Sequence, residues 1–232
     1  MPFIIGIEGG YGEGKTLTGV MKACQWSMAS GAKIFANFPV RGAYVFNNYT
    51  DWYRIADLHG TIVIFDEAQS NFDNRQWNSK GQIEMTQVLN YVRKMNTIFI
   101  FILPEYHNAD SRIRNVTDIL IRQHKTKSGT ILSSVYDFKL KQFGEYGKLL
   151  NKWVLPVSSQ KKVFNLRLYS THSMVHRFPT PPSNKVKDFF KELDRRHEIA
   201  IKKFRDVFEI ETLVKEELEE NAVWSTWREN SF

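Results

Sequence analysis

Residues 9–19 read GGYGEGKTLTG, five glycines in eleven residues around a single lysine, and they follow directly on the apolar run FIIGIE at residues 3–8. Gly9, Gly14, Lys15 and Thr16 satisfy the spacing G-x-x-x-x-G-K-[ST], with a strand-like segment before and a helix-like segment after. A backbone this rich in glycine can turn its N–H groups inward around an anion, because side chains would block both the turn and the close approach. The helix expected from Lys15 to about Ser30 then aims the positive end of its dipole at the same point. The plain alternative, a glycine-rich turn without a ligand, leaves the flanking strand and helix unexplained.

If the loop holds a triphosphate, Gly9, Gly10, Tyr11, Gly12, Glu13, Gly14, Lys15, Thr16 and Leu17 are its contact residues. Lys15 reaches the β and γ phosphates, and Thr16 offers its hydroxyl to Mg²⁺. ATP with Mg²⁺ is the expected cofactor pair.

A second signal lies about fifty residues downstream in TIVIFDEAQ, residues 61–69. Ile62 to Phe65 read as a strand buried on both faces that delivers Asp66 to its C-terminal end, where ligands of open α/β sheets collect. Asp66 is the expected second metal ligand with Thr16. Glu67, pointing to the other side of the chain, is available to polarise a water for in-line attack on the γ phosphate. Read without the loop, the same pair is a helix N-cap with a solvated neighbour.

Around these two signals, short β-rich runs alternate with amphipathic stretches. KIFAN, TIVIFDE, NTIFIFIL and DILIRQ read as strands after the first, and apolar residues from Gln82 to Met95 recur at helical spacing. GTILSSVYDFKL and KKVFNLRLYS read as antiparallel additions. Strands separated by helix-length segments predict an α/β three-layer sandwich on a mainly parallel, RecA-like sheet. The three prolines of FPTPPS, residues 178–183, mark a boundary between a core at residues 1–178 and a linker with a helical tail at residues 179–232. In that tail, Val186, Phe189, Phe190, Leu193, Ala200, Ile201 and Phe204 form an apolar stripe, with a register shift near Glu209. The stripe must be buried on its own domain or on another subunit.

Composition narrows the setting. No apolar run approaches the roughly 20 residues of a membrane-spanning helix, and MPFIIGIEGG lacks the features of a secretory leader. With one cysteine, Cys24, no internal disulfide can form, so an intracellular protein is expected. The formal charge is +7, unevenly spread. Residues 1–121 carry 11 basic and 11 acidic side chains, whereas residues 122–177 carry 11 basic side chains against Asp137 and Glu145 alone. A polyanionic partner for this middle segment is expected, with a merely solvated face as the alternative. The aromatic stretch RGAYVFNNYTDWYR, residues 41–54, offers stacking on bases or simple packing. Hydrolysis also needs a cation for the charge that develops on the leaving phosphates. Arg75, Arg93, Arg112 and Arg114 are the candidates, and a surface salt bridge is the alternative for each.

The combination IEGGYGEGKT, KIFANFP, VIFDEAQ, VRK before a strand, DSRIRN and LYSTHSMV resembles the FtsK-HerA branch of additional-strand P-loop ATPases over residues 2–175. Within it the order is closest to genome-packaging ATPases of tailless, membrane-containing phages and to zonula occludens toxin-like assembly proteins. The resemblance implies a ring of five or six subunits that moves double-stranded DNA, with Asp66 and Glu67 as metal and catalytic carboxylates. It implies viral capsid or portal proteins as partners and the host cytoplasm or a packaging vertex as location. That branch places a polar sensor at the end of its fourth strand, where this chain reads LPEYHN, leaving Glu105 or Asn108 for the part. Toxin-like assembly proteins carry a membrane span after the ATPase domain; this chain shows none, so packaging is favoured. A helicase or conjugation-type ATPase, and a non-motor nucleotide switch that docks a capsid or membrane protein, stay open.

Overall fold

The computed structural model describes residues 4–68 and 79–205, with the backbone alone for 79–86. Its strands are β1 (Ile4–Glu8), β2 (Lys33–Ala36), β3 (Tyr44–Val45), β4 (Thr61–Phe65), β5 (Ile98–Leu103), β6 (Ile119–Lys125), β7 (Ile131–Asp137) and β8 (Lys148–Leu155). The helices are α1 (Lys15–Ser30), α2 (Asp51–Leu58), α3 (Ser79–Lys94), α4 (Ser111–Val116), α5 (Val157–Asn165) and α6, residues 186–205. The strands form one sheet in the order β3-β2-β4-β5-β1-β6-β7-β8. Neighbours from β3 to β6 are parallel, whereas β6–β7 and β7–β8 are antiparallel. This is the expected α/β sandwich, with β5 inserted between the strand that leads into the glycine-rich loop and the strand that ends at Asp66.

The sequence IFIFIL of β5 shows how the layers form. Its side chains alternate between faces, so Ile100 and Ile102 join Ile5, Ile7, Ile34, Ile62 and Ile64 against Val20 and Ala23 of α1. Phe99, Phe101 and Leu103 join Phe35, Val63 and Phe65 on the opposite face. There they meet Trp52 and Ile55 of α2, Val88 and Val92 of α3, and Phe189 and Leu193 of α6. Each such side chain, removed from water, contributes about 1.5–3 kcal/mol before conformational entropy is charged against it. In β1, Gly6 faces the second layer because the Tyr106 ring lies where a Cβ would stand, 2.3 Å from its ideal position.

The tail stripe is buried in part on its own chain: Phe189 and Leu193 lie in the core, while Phe204 is half exposed. The proline stretch before it is also anchored. Phe178 is buried, and Trp52 Nε1 donates to the Pro179 carbonyl at 2.9 Å. The register shift near Glu209 lies outside the described residues. In the aromatic stretch, Phe46 and Trp52 are fully buried, and Tyr44 stays exposed beneath the Arg54 guanidinium, 4.4 Å from its ring centroid. Packing thus accounts for the larger rings.

One expected strand is corrected. Most of KKVFNLRLYS belongs to α5 and the turn after it, and only Tyr169 makes a single antiparallel bridge, to Val40. Pro156, with no N–H to lose, ends β8 and opens the helix. Gln160 Nε2 then clamps the turn through the carbonyls of Leu155 and Gly129 at 2.8 and 2.9 Å. The edge position is taken instead by β8, whose KLLNKWVL pattern gives no clean alternation because both of its faces are largely exposed.

Candidate nucleotide site

The loop after β1 turns into α1 through Gly14, which holds φ 83 as the residue before the helix. That left-handed geometry disfavours any side chain, and a Cβ there would sit 2.4 Å from Ile131 Cδ1. Lys15 is the first helical residue, and its Nζ donates to the Gly10 carbonyl at 2.8 Å, closing the loop on itself. Burial pushes the Lys15 ammonium below its ordinary pKa, against the pull of Asp66, Glu67 and Glu13. Tyr11 is almost fully exposed at the tip, whereas Leu17 is buried against Ile131 and Leu155. Leu17 can therefore serve a ligand only through its backbone. Glu13 turns away from the cleft: its carboxylate accepts from Gly10 N at 2.5 Å and meets His124 Nδ1 at 3.1 Å on β6.

Three parallel strands bring the acids to this loop. Thr16 Oγ1 donates to Asp66 Oδ2 at 2.6 Å, across fifty residues of sequence. Burial raises the Asp66 pKa, opposed by the Thr16 hydroxyl and the Glu67 N–H, which donates to Asp66 Oδ1 at 2.8 Å. A buried carboxylate whose burial outweighs the opposing pull of Lys15, beside a threonine hydroxyl, is a hard-oxygen donor set of the kind Mg²⁺ takes. Glu67, expected within reach of the attacking water, comes to the cleft through a turn of its own backbone. Its backbone is in the left-handed region, φ 53, which a non-glycine residue holds at a cost of about 1–2 kcal/mol. The chain leaves strand geometry there, so Glu67 lines the same cleft as Lys15, Thr16 and Asp66. The cleft measures ≈ 440 Å³.

Two elements that sequence reasoning passed over complete the site. Asn37, fully buried at the end of β2, grips the Asp66 backbone with both ends of its amide. Its Oδ1 accepts from Asp66 N at 2.8 Å, and its Nδ2 donates to the Asp66 carbonyl at 3.0 Å and to the His176 carbonyl at 2.9 Å. The strap at residues 168–176 is thereby fastened beside the acids, with Arg41 N donating to the Leu168 carbonyl at 2.7 Å at its other end. Tyr169, Ser170, Thr171 and Ser173 of the strap line the cleft opposite Lys15. Burial, with a contribution from Asp66, pushes the Tyr169 phenol up to about 12. The FANFP and LYSTHSMV segments were legible as part of a family pattern, but nothing in their spacing showed that they meet.

None of the described arginine candidates lines the cleft of its own chain. Arg112 is held by Asp110 through Nε and Nη2 at 2.7 and 2.5 Å, and Arg93 lies 3.7 Å from Asp118. Arg114 keeps a buried Nε without a hydrogen-bond partner among the described residues. Arg75 lies outside the described residues. Glu105 and Asn108 bond each other at 2.8 Å. Glu105 lines a different groove, of ≈ 700 Å³, with Glu8, Arg122 and His124.

A protein-family profile described as "Zonular occludens toxin (Zot)" matches residues 40–141, less than half of the chain. A comparison with curated proteins finds no match. Among solved structures, the N-terminal domain of zonular occludens toxin from Neisseria meningitidis is 18% identical, with 81% of this chain and 98% of that one covered at a TM-score of 0.47. The genome packaging NTPase B204 from Sulfolobus turreted icosahedral virus 2, in complex with ATP-gammaS, is 14% identical, with 77% and 98% covered at 0.42. The flagellar accessory protein FlaH from Methanocaldococcus jannaschii is 13% identical, with 68% and 87% covered at 0.42. Likenesses of this size carry no role across. The strand order, the glycine-rich cradle and the Thr16–Asp66 contact are what make this a P-loop NTPase-like fold, with low-identity similarity to Zot and to viral genome-packaging ATPases.

Proposed function

We propose that this chain is an ATP hydrolase that drives double-stranded DNA through a ring of its own copies, as a viral genome-packaging motor of the FtsK-HerA kind. The observation that carries the reading is the 2.6 Å contact of Thr16 Oγ1 with Asp66 Oδ2, with Lys15 and Glu67 on the same cleft. A bound Mg²⁺ would be held by Thr16 and Asp66 and would neutralise charge on the phosphates. The backbone N–H groups of the loop and Lys15 bind and orient the phosphates, and Glu67 accepts the proton of the attacking water. An arginine from the neighbouring copy, among Arg75, Arg93, Arg112 and Arg114, meets the developing charge. The basic residues of β6 to α5 offer a sequence-independent phosphate track. Capsid or portal proteins are the proposed partners, and the host cytoplasm the proposed place.

The family profile favours a second reading, a zonular occludens toxin-like assembly ATPase. No helix among the described residues is long and apolar enough to cross a membrane. ATP turnover with and without double-stranded DNA separates the two readings. The motor requires turnover that DNA stimulates, and Glu67→Gln lowers it by about 10²-fold or more while Mg-ATP still binds. Turnover indifferent to DNA refutes the motor, and turnover unchanged in Glu67→Gln refutes the mechanism.

A further inference from the structure

The strand between the cradle and the acids offers the cleft no polar side chain. β5 lies between β1 and β4, so its C-terminal end stands between Gly9 and Asp66. That end is Leu103, buried in the layer packed on α2 and α3, followed by Pro104, which has no N–H and whose carbonyl accepts from Gly9 N at 3.1 Å. In-line hydrolysis needs a donor that fixes the γ phosphate or its attacking water relative to Glu67. Lys15 and the loop N–H groups hold the phosphates, so a further donor that fixes the attacking water comes from another element.

We infer that the strap at residues 168–176 is a permanent wall of the nucleotide cleft, and that the Tyr169 hydroxyl is the positioning donor for the γ phosphate and its attacking water. This deepens the nucleotide-hydrolysis reading above and rests on it. Both ends of the strap are fastened to the chain leaving β2, by Arg41 and Val40 at one end and by Asn37 at the other. Because the same Asn37 amide grips the Asp66 backbone, strap and metal-ligand acid share one support. The Tyr169 ring is seated edge-on against Phe38 at 6.2 Å and packs on the apolar layers of α1. Its hydroxyl makes no hydrogen bond to the described residues, and the residue lines the cleft together with Thr16, Asp66 and Glu67. A side chain whose ring is fixed by packing holds its terminal oxygen with little freedom, which is the property a preorganised donor requires.

The test compares Mg-ATP binding and single-turnover hydrolysis in the wild-type chain, Lys15→Ala and Tyr169→Phe, with thermal unfolding of each. Tyr169→Phe keeps the ring and its packing, so its melting temperature stays with the wild type. The expected result is binding within about twofold and hydrolysis slower by about 10²-fold, the usual loss when one preorganised donor is removed. Lys15→Ala loses binding. Wild-type hydrolysis in Tyr169→Phe overturns the inference and leaves the nucleotide reading standing. So does a loss in Tyr169→Phe that falls on binding rather than on turnover. A wild-type chain that neither binds nor turns over Mg-ATP overturns both.

Discussion

The parallel half of the sheet, β3 to β6, and its antiparallel wing, β7 and β8, are built from one continuous ladder but stand in different solvents. Phe99, Phe101, Ile100 and Ile102 of β5 are fully buried, with helices on both faces. In β8, by contrast, Leu149, Leu150 and Val154 are each more than two-fifths exposed. The parallel half coheres through apolar burial on both faces, whereas the wing has only the small cluster of Ile131 and Leu155 against Leu17 and otherwise coheres through its backbone ladder and local clamps such as Gln160. The difference separates two tasks. The buried half holds Asp66 against Thr16, and the wing keeps Lys148 and Lys152 in water. Lys148 and Lys152 also guard an open edge against pairing with another chain.

The largest expected effect tests the buried half. Phe99→Ala should cost about 3–5 kcal/mol in chemical denaturation, as large aromatic deletions in cores do. Leu150→Ala in the wing should stay within about 0.5 kcal/mol. Equal losses would erase the contrast.

A smaller effect belongs to the α6 cover on the buried half. His59, at the end of α2, and His197, on α6, lie 5.7 Å apart, each with a buried Nδ1 that lacks a partner among the described residues. Burial pushes both imidazoles below their ordinary pKa; Lys94 and the opposite ring push His197 further, and Asp194 and Glu198 oppose. Phe204 covers the His59 ring. A lowered folded pKa means the unfolded chain binds protons first, so stability is full above pH of about 6.5 and declines as pH falls below it. Melting temperatures between pH 7.5 and 5 should show this decline, and His197→Phe should flatten it. An unchanged slope in that variant would locate the titration elsewhere.

The smallest effect concerns the wing alone. Replacing Lys148 and Lys152 together by Gln should leave unfolding untouched and reduce the slope of log DNA affinity against log salt by about 2, one for each lost phosphate contact. An unchanged slope combined with aggregation would leave these lysines as edge guards only.

Much of the buried half was legible because burial on two faces writes a simple pattern. Ile62–Phe65 and IFIFIL are uninterrupted apolar runs, and each became part of a parallel strand. The glycine-rich loop was legible because its geometry excludes most side chains at Gly14. The wing was read less well. KLLNKWVL carries no inward face to impose alternation, and KKVFN has a helix imposed on it by Pro156 and the Gln160 clamp, neither of which is visible as periodicity. Glu67 was expected within reach of the attacking water, and what strand alternation did not show is the left-handed turn of its backbone.

The sequence by itself determined the cradle, the strands of KIFAN, TIVIF, IFIFIL and DILIRQ with the helix after the cradle, and the choice of Lys15, Thr16, Asp66 and Glu67 as candidates, since local conformational limits and apolar patterning act on neighbouring residues; β3, α2 and α4 were not read from it. Only the tertiary structure decided that Asn37 clasps Asp66, that Glu13 leaves the cleft for β6, and that Tyr169 returns to wall it. Those contacts join residues 29 to more than 100 positions apart. They are selected by how packed layers bring strand ends together, and a single side chain carries no local signature of the partner it will meet there.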